Sequence, residues 1–286
     1  MAVPLFQCKK LRPRWRFQVA GSIWRILFTR NGLVMGEERA GADGSARFFC
    51  VNADSGAPLW RDRALNERRW IGIEACGETV LFLHEFAKPD LPVHRGVTAL
   101  DLQTGELLWR DPEAVFSFEI PGFAIIRRDG IERSRYQQLD ERTGVVVKDF
   151  GDDTSAVNAL RSSRGADEEL REPVVIDDGP GVMKEFAPLI GRHCGGDRRR
   201  GPVEILPAGE HVVVAYHVDV DQLGAGREER LAHHLKVIHR PTSRELFGEM
   251  LLTDLRYPAL GTFTLRNGIL YFVERRSTLV ALPLDE

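Results

Sequence analysis

Residues 99–111 read Ala-Leu-Asp-Leu-Gln-Thr-Gly-Glu-Leu-Leu-Trp-Arg-Asp, and residues 51–62 read Val-Asn-Ala-Asp-Ser-Gly-Ala-Pro-Leu-Trp-Arg-Asp. Aligned on their glycines, Gly56 falls on Gly105 and Trp60 on Trp109. Both copies then run on as Leu-Trp-Arg-Asp. A segment that returns after about 50 residues marks one supersecondary unit used several times.

The residues around the first copy show what the unit is. Ile23–Thr29 is apolar and rich in strand formers, and Asn31-Gly32 is a strong short hairpin signal. Leu33–Glu37 follows, then the turn Ala42-Asp43-Gly44, the strand Arg47–Ala53 and the turn Asp54-Ser55-Gly56 before Pro58–Arg61. Four strands with a turn every 8–12 residues make an antiparallel meander, the unit of a propeller blade.

The same pattern runs from Trp70 to Trp109, with a Pro-containing loop expected over Lys88–Arg95. A third copy spans Val115 to Phe150, with Lys148 in place of the tryptophan. A fourth starts near Val203 and carries Phe247 at that position. A fifth, from Thr262 to Leu282, stops before its last strand. Arg14-Trp15-Arg16-Phe17 has the tryptophan of a fourth strand and nothing before it to complete a blade, so it is expected to pair with Leu279–Leu282.

The expected fold is therefore all-β. It is a β-propeller of four-stranded antiparallel blades, with five favoured over six, closed into a ring by the N-terminal strand 13–19. The blades fall near 21–63, 69–112, 114–150, 202–252 and 255–284, within one domain. Residues 151–201 are turn-rich and read either as an insertion or as a sixth, eroded blade.

The repeat has a physical logic. Gly56, Gly105 and Gly144 suit a turn position with positive φ. Asp101 and Asp140 can accept backbone N–H bonds within the turn. Trp60 and Trp109, on the outermost strand, can bury roughly 150–250 Å² each against the next blade.

The motif Ala-Leu-Asp-x-x-Thr-Gly-x-x-x-Trp at Ala99–Trp109 resembles the repeat of the quinoprotein-dehydrogenase-like (PQQ-type) β-propellers, and Val51–Trp60 is a looser copy with Asn52 where the Asp falls. The resemblance implies a propeller. The dehydrogenases of that family are exported and bind calcium and pyrroloquinoline quinone, many stacking the quinone on a disulfide of adjacent cysteines. The cysteines here are Cys8, Cys50, Cys76 and Cys194, none adjacent. The resemblance therefore points to a small relative, with no cofactor and no metal expected.

Composition narrows the function classes. The net charge of −3 over 286 residues argues against a general polyanion binder, so nucleic acid is not expected as a partner. No stretch reaches the roughly 18 apolar residues of a membrane span, and the first ten residues lack an apolar signal-peptide core. Scattered cysteines fit reduced thiols, and a cytoplasmic location is expected.

No P-loop, G-x-G-x-x-G after a strand or G-x-S-x-G is present. His217, Asp219 and Asp221 alternate and would share one strand face, which suits a metal site or simply a polar strand end. His233 and His234 would point to opposite faces. His193-Cys194 are sequence neighbours, which rarely make a dyad. Arg198, Arg199 and Arg200 are a possible grip for a phosphate or an acidic partner, or a solvated loop. The acidic residues Glu168–Glu172, Asp177 and Asp178 read as surface.

The preferred function is a non-catalytic protein-interaction or assembly scaffold with no assigned catalytic residue. The alternative is a hydrolase or lyase working in the propeller's central channel through His211 or His217 with Asp219.

Overall fold

Period-two alternation of apolar side chains, broken by glycine turns, produces 22 strands among the described residues of the computed structural model. It describes residues 10–88, 91–131, 133–164, 169–176, 185–220 and 230–284. The strands form five antiparallel sheets of four or five strands each. The chain divides into two compact units, Val19–Asp167 and Met1–Gln18 with Glu168–Glu286.

The strand β1 (Trp15–Gln18) belongs to the second of these units. The other unit holds three four-stranded meanders. The first is β2 (Ser22–Phe28), β3 (Leu33–Ala40), β4 (Ser45–Asn52) and β5 (Pro58–Arg63). The second is β6 (Ile71–Cys76), β7 (Val80–Lys88), β8 (Leu91–Asp101) and β9 (Leu107–Asp111). The third is β10 (Val115–Ile120), β11 (Phe123–Asp129), β12 (Ser134–Asp140) and β13 (Val146–Gly151).

Strand pairing places Trp60 opposite Cys50, Trp109 opposite Ala99 and Lys148 opposite Gln138, the same position in each sheet. In each turn the side chain of Asn52, Asp101 or Asp140 accepts two backbone N–H bonds, from residues two and three positions on. Gly56, Gly105 and Gly144 follow at φ +69° in all three. Asn52 thus does the work of the aspartates.

Phe48 and Phe82 are buried between neighbouring sheets, and Phe49 is buried with its ring over Gly36. Burying such a side chain contributes roughly 1.5–3 kcal/mol.

After β13 comes α1 (Thr154–Ser163), capped by the Asp153 carboxylate, which accepts from the Ala156 N–H. Val157 of α1 packs on Phe118 and Ile125. Two short strands, β14 (Leu170–Arg171) and β15 (Val174–Ile176), and α2 (Ala187–His193) follow. Next come β16 (Arg199–Ala208), β17 (His211–Asp219), β18 (Leu231–His239) and β19 (Arg244–Leu255). The last three are β20 (Phe263–Arg266), β21 (Ile269–Glu274) and β22 (Thr278–Pro283).

The fourth sheet runs β15-β16-β17-β18-β19 and the fifth β1-β22-β21-β20-β14. Among the described residues, 151–201 build no sheet of their own; they lend β14 to the fifth sheet and β15 and the start of β16 to the fourth. The strand β1 pairs antiparallel with β22, with Trp15 opposite Ala281. That is the register of Trp109 on Ala99, so the fifth sheet takes its tryptophan from the other end of the chain.

One local reading changes. The stretch Leu91–Arg95, expected as loop because of its prolines, is strand, because β8 continues the β7 hairpin past Phe86 opposite His94. No helix among the described residues is long and apolar enough to cross a membrane.

Candidate functional site

The residues singled out in the sequence lie mainly at one end of the fourth sheet. Arg199 and Arg200 open β16, and Arg198 ends the 3₁₀ turn before it, so the run is part turn and part strand rather than free loop. Arg200 pairs with the Asp219 carboxylate. Arg198 Nη2 donates to the Asp219 carbonyl at 2.8 Å. The arginines thus brace the end of β17. Asp221 lies outside the described residues, as do Glu168, Asp177, Asp178 and Cys8.

His217 is buried on β17 and stacks on His233 of β18, with ring centroids 4.3 Å apart and planes 10° from parallel. Its Nε2 accepts the Ala259 N–H at 3.1 Å. The proton of the neutral ring is then on Nδ1, which has no partner among the described residues. His233 is buried, and among the described residues neither of its ring nitrogens has a partner. Burial, reinforced by the neighbouring His234, pushes His217 down to about 4. Burial, with His217 and His234, takes His233 to about 3.

These are two neutral histidines at pH 7, not a poised acid–base pair. His234 faces the other way and stacks on Tyr216. His211, at the far end of β17 beside His239, is six residues or roughly 20 Å from His217, and the two do not meet. His193 hydrogen-bonds the Ser243 carbonyl at 3.0 Å, and burial pushes the Cys194 thiol up to about 12, so it stays protonated and unreactive.

A second cluster was not anticipated. Glu74 on β6, His84 on β7 and His94 on β8 converge on one edge-to-edge row of the second sheet. His94 Nδ1 lies 2.7 Å and His84 Nδ1 2.9 Å from the same atom, Glu74 Oε2. The imidazoles stack at 3.5 Å and 6°. Phe86 meets both edge-on, at 5.1 Å from His84 and 5.4 Å from His94. Burial works to raise the Glu74 pKa, but the two histidines outweigh it and hold the carboxyl below its ordinary range.

Sequence spacing gave no sign of this cluster, since His84 and His94 are ten residues apart across an expected loop. The available signal was the hairpin register, which sets His94 opposite Phe86, two residues along β7 from His84 and so on the same face.

A family model described as a domain of unknown function (DUF4905) matches residues 29–109, the span of the first two repeats. No curated protein matches the chain. Among solved structures, a eukaryotic initiation factor is similar at 10% identity over 89% of this chain and 50% of its own, with a TM-score of 0.34. The chain thus spans half the length of that protein. The β-propeller domain of the Trilobed protease from Pyrococcus furiosus is similar at 10% identity over 93% and 70%, with a TM-score of 0.31. An uncharacterized protein of Listeria monocytogenes EGD-e is similar at 10% identity over 94% and 97%, with a TM-score of 0.32.

Proposed function

We propose that the chain is a non-catalytic interaction module of the cytoplasm, its five sheets serving as blades of one propeller and β1 closing the ring on β22. The repeated meander, the tryptophan of one sheet seated on the turn of the next, and the shared register of Trp15 with Trp60 and Trp109 support the propeller reading. The likeness to PQQ-type blades is carried over as architecture alone. Thiols that burial keeps protonated at Cys50 and Cys194 suit a reducing compartment.

One observation carries the interaction reading. Among the described residues the strand β13 is hydrogen-bonded to β12 alone, and Val145 in the turn before it and Val146 and Val147 at its start are 60%, 42% and 51% exposed. A strand edge offers a row of free N–H and C=O groups, and proteins ordinarily blunt such edges with charge or cover them. Three consecutive exposed valines do the opposite. They suit an extended segment of a partner protein adding to the sheet, where main-chain bonds give affinity and the valines select apolar side chains.

The test is affinity capture from native lysate, comparing the wild type with Val145→Lys/Val147→Lys by quantitative mass spectrometry. A stoichiometric protein held by the wild type and lost from an equally stable variant is the expected result. A wild type that holds no stoichiometric partner, or a partner indifferent to the substitutions, overturns this reading.

A further inference from the structure

The Glu74–His84–His94 cluster is more than a buried polar contact. A carboxylate oxygen shared by two imidazole nitrogens at 2.7 and 2.9 Å is a compact set of three donor atoms. Its hydrogen bonding is lopsided. His94 Nδ1 makes a well-formed bond with Glu74 Oε2. His84 Nδ1 is nearly as close but off the line a hydrogen bond needs, and among the described residues this buried nitrogen makes no well-formed hydrogen bond. A buried ring nitrogen held beside a carboxylate and unsatisfied by it costs free energy unless something else binds it.

We propose that Glu74, His84 and His94 form a binding site for a divalent transition metal ion, with zinc the best-fitting case. Two nitrogen donors and one carboxylate are the set that zinc, cobalt and nickel favour, whereas calcium and magnesium require oxygen donors throughout. A metal about 2.1 Å from each donor needs neighbouring donors roughly 3.0–3.4 Å apart, so the two carboxylate–imidazole separations of 2.7 and 2.9 Å open by only a few tenths of an ångström, and all three donor atoms already lie within 4.8 Å of one another.

The rings set a condition on binding. Parallel planes 3.5 Å apart cannot both contain one metal ion. One ring must tilt, and the surroundings say which. His84 is 5% exposed and backed by Gly72, where even a methyl group would come within 3.2 Å of its Cε1. His94, its side chain 39% exposed, stands on the open side. His84 and Glu74 are therefore the fixed pair and His94 the ring that turns, with Phe86 supplying an edge for both to pivot against. Three protein ligands leave a fourth position toward the exposed His94 side, open to water or to a donor from a partner.

The experiment is calorimetric titration of the untagged, chelator-treated full chain with zinc chloride. Cobalt(II) titration followed by visible absorption reads the coordination geometry. His94→Ala removes the exposed ligand with little risk to the fold, and Glu74→Gln keeps the shape while removing the charge. The expected result is one equivalent bound by the wild type, tetrahedral cobalt absorption, and affinity lowered at least 10-fold by each substitution with thermal unfolding in chelator unchanged. Absence of binding in the wild type overturns the proposal. So does one equivalent whose affinity and cobalt spectrum neither substitution alters, since the ion would then sit elsewhere.

Discussion

The indole of Trp60 is seated on Gly105: a Cβ at residue 105 would lie 2.8 Å from Trp60 Cδ2, and Trp60 Nε1 donates to the Leu102 carbonyl at 2.9 Å. The next sheet repeats the arrangement. Trp109 is seated on Gly144 at the same 2.8 Å, and its Nε1 donates to the Glu141 carbonyl at 2.8 Å. Each glycine therefore answers two demands, a φ of +69° and a flat seat for the indole of the preceding sheet.

That double demand separates two kinds of glycine. Gly32 also has positive φ, +77°, but open space around it. Gly32→Ala is expected to cost about 1–2 kcal/mol, the left-handed backbone penalty alone. Gly105→Ala adds displacement of the indole and is expected to cost roughly 1–3 kcal/mol more. Urea unfolding of the two variants, with tryptophan fluorescence reporting the indole, checks the difference. Equal costs would show that the seat does not matter.

Glu141 ties the second sheet to the third. Its buried carboxylate accepts from Thr79 N at 3.0 Å and Thr79 Oγ1 at 2.6 Å. Glu141→Ala leaves the Thr79 N–H and hydroxyl without that acceptor, at a cost of about 2–4 kcal/mol. Glu141→Gln keeps one carbonyl acceptor and should recover at least half. Denaturation midpoints of the two variants decide this.

The buried histidines of the fourth sheet make stability depend on pH. His217 and His233 protonate near 4 and 3 when folded, against an ordinary 6.5. Between these values the unfolded chain binds more protons, so stability rises with pH there. Their contribution is complete above about pH 6.5 and is lost progressively below it, by up to about 1.4 kcal/mol per pH unit for each ring. His233→Phe removes two unpartnered ring nitrogens at similar volume. It should be neutral or stabilising at pH 7 and flatten the profile between pH 6.5 and 4.5, as read from urea midpoints across that range.

The strand β1 holds the fifth sheet through Trp15 and Phe17, both buried. Trp15→Ala should cost about 3–5 kcal/mol, as for other buried aromatics. A change below about 1 kcal/mol in thermal or urea unfolding would mean that β1 merely rests on β22.

The repeat was readable because its signals are local. An Asx-type acceptor, a glycine and a tryptophan at fixed offsets each describe one turn and its neighbour, so Lys148 and Phe247 stood out as departures at the right place. Trp15 could be matched to β22 for the same reason. The Glu74–His84–His94 cluster rests instead on hairpin register, and the prolines near residue 90 argued for a loop where β8 is strand. The arginine run at 198–200 gave no alternation, because its side chains serve ion pairing and carbonyl bonds at a strand end rather than a buried face. The helix α1 escaped because a single buried residue, Val157, anchors it.

The central claim is that the five sheets close into one propeller that presents an uncovered edge to a partner, and solution X-ray scattering of the full chain tests its architectural half most directly. A single compact body of 286 residues has a radius of gyration of about 19 Å. That value, with a single-peaked distance distribution, is the result the account predicts. A markedly larger radius with a two-peaked distribution would show two separate bodies and contradict the closed ring.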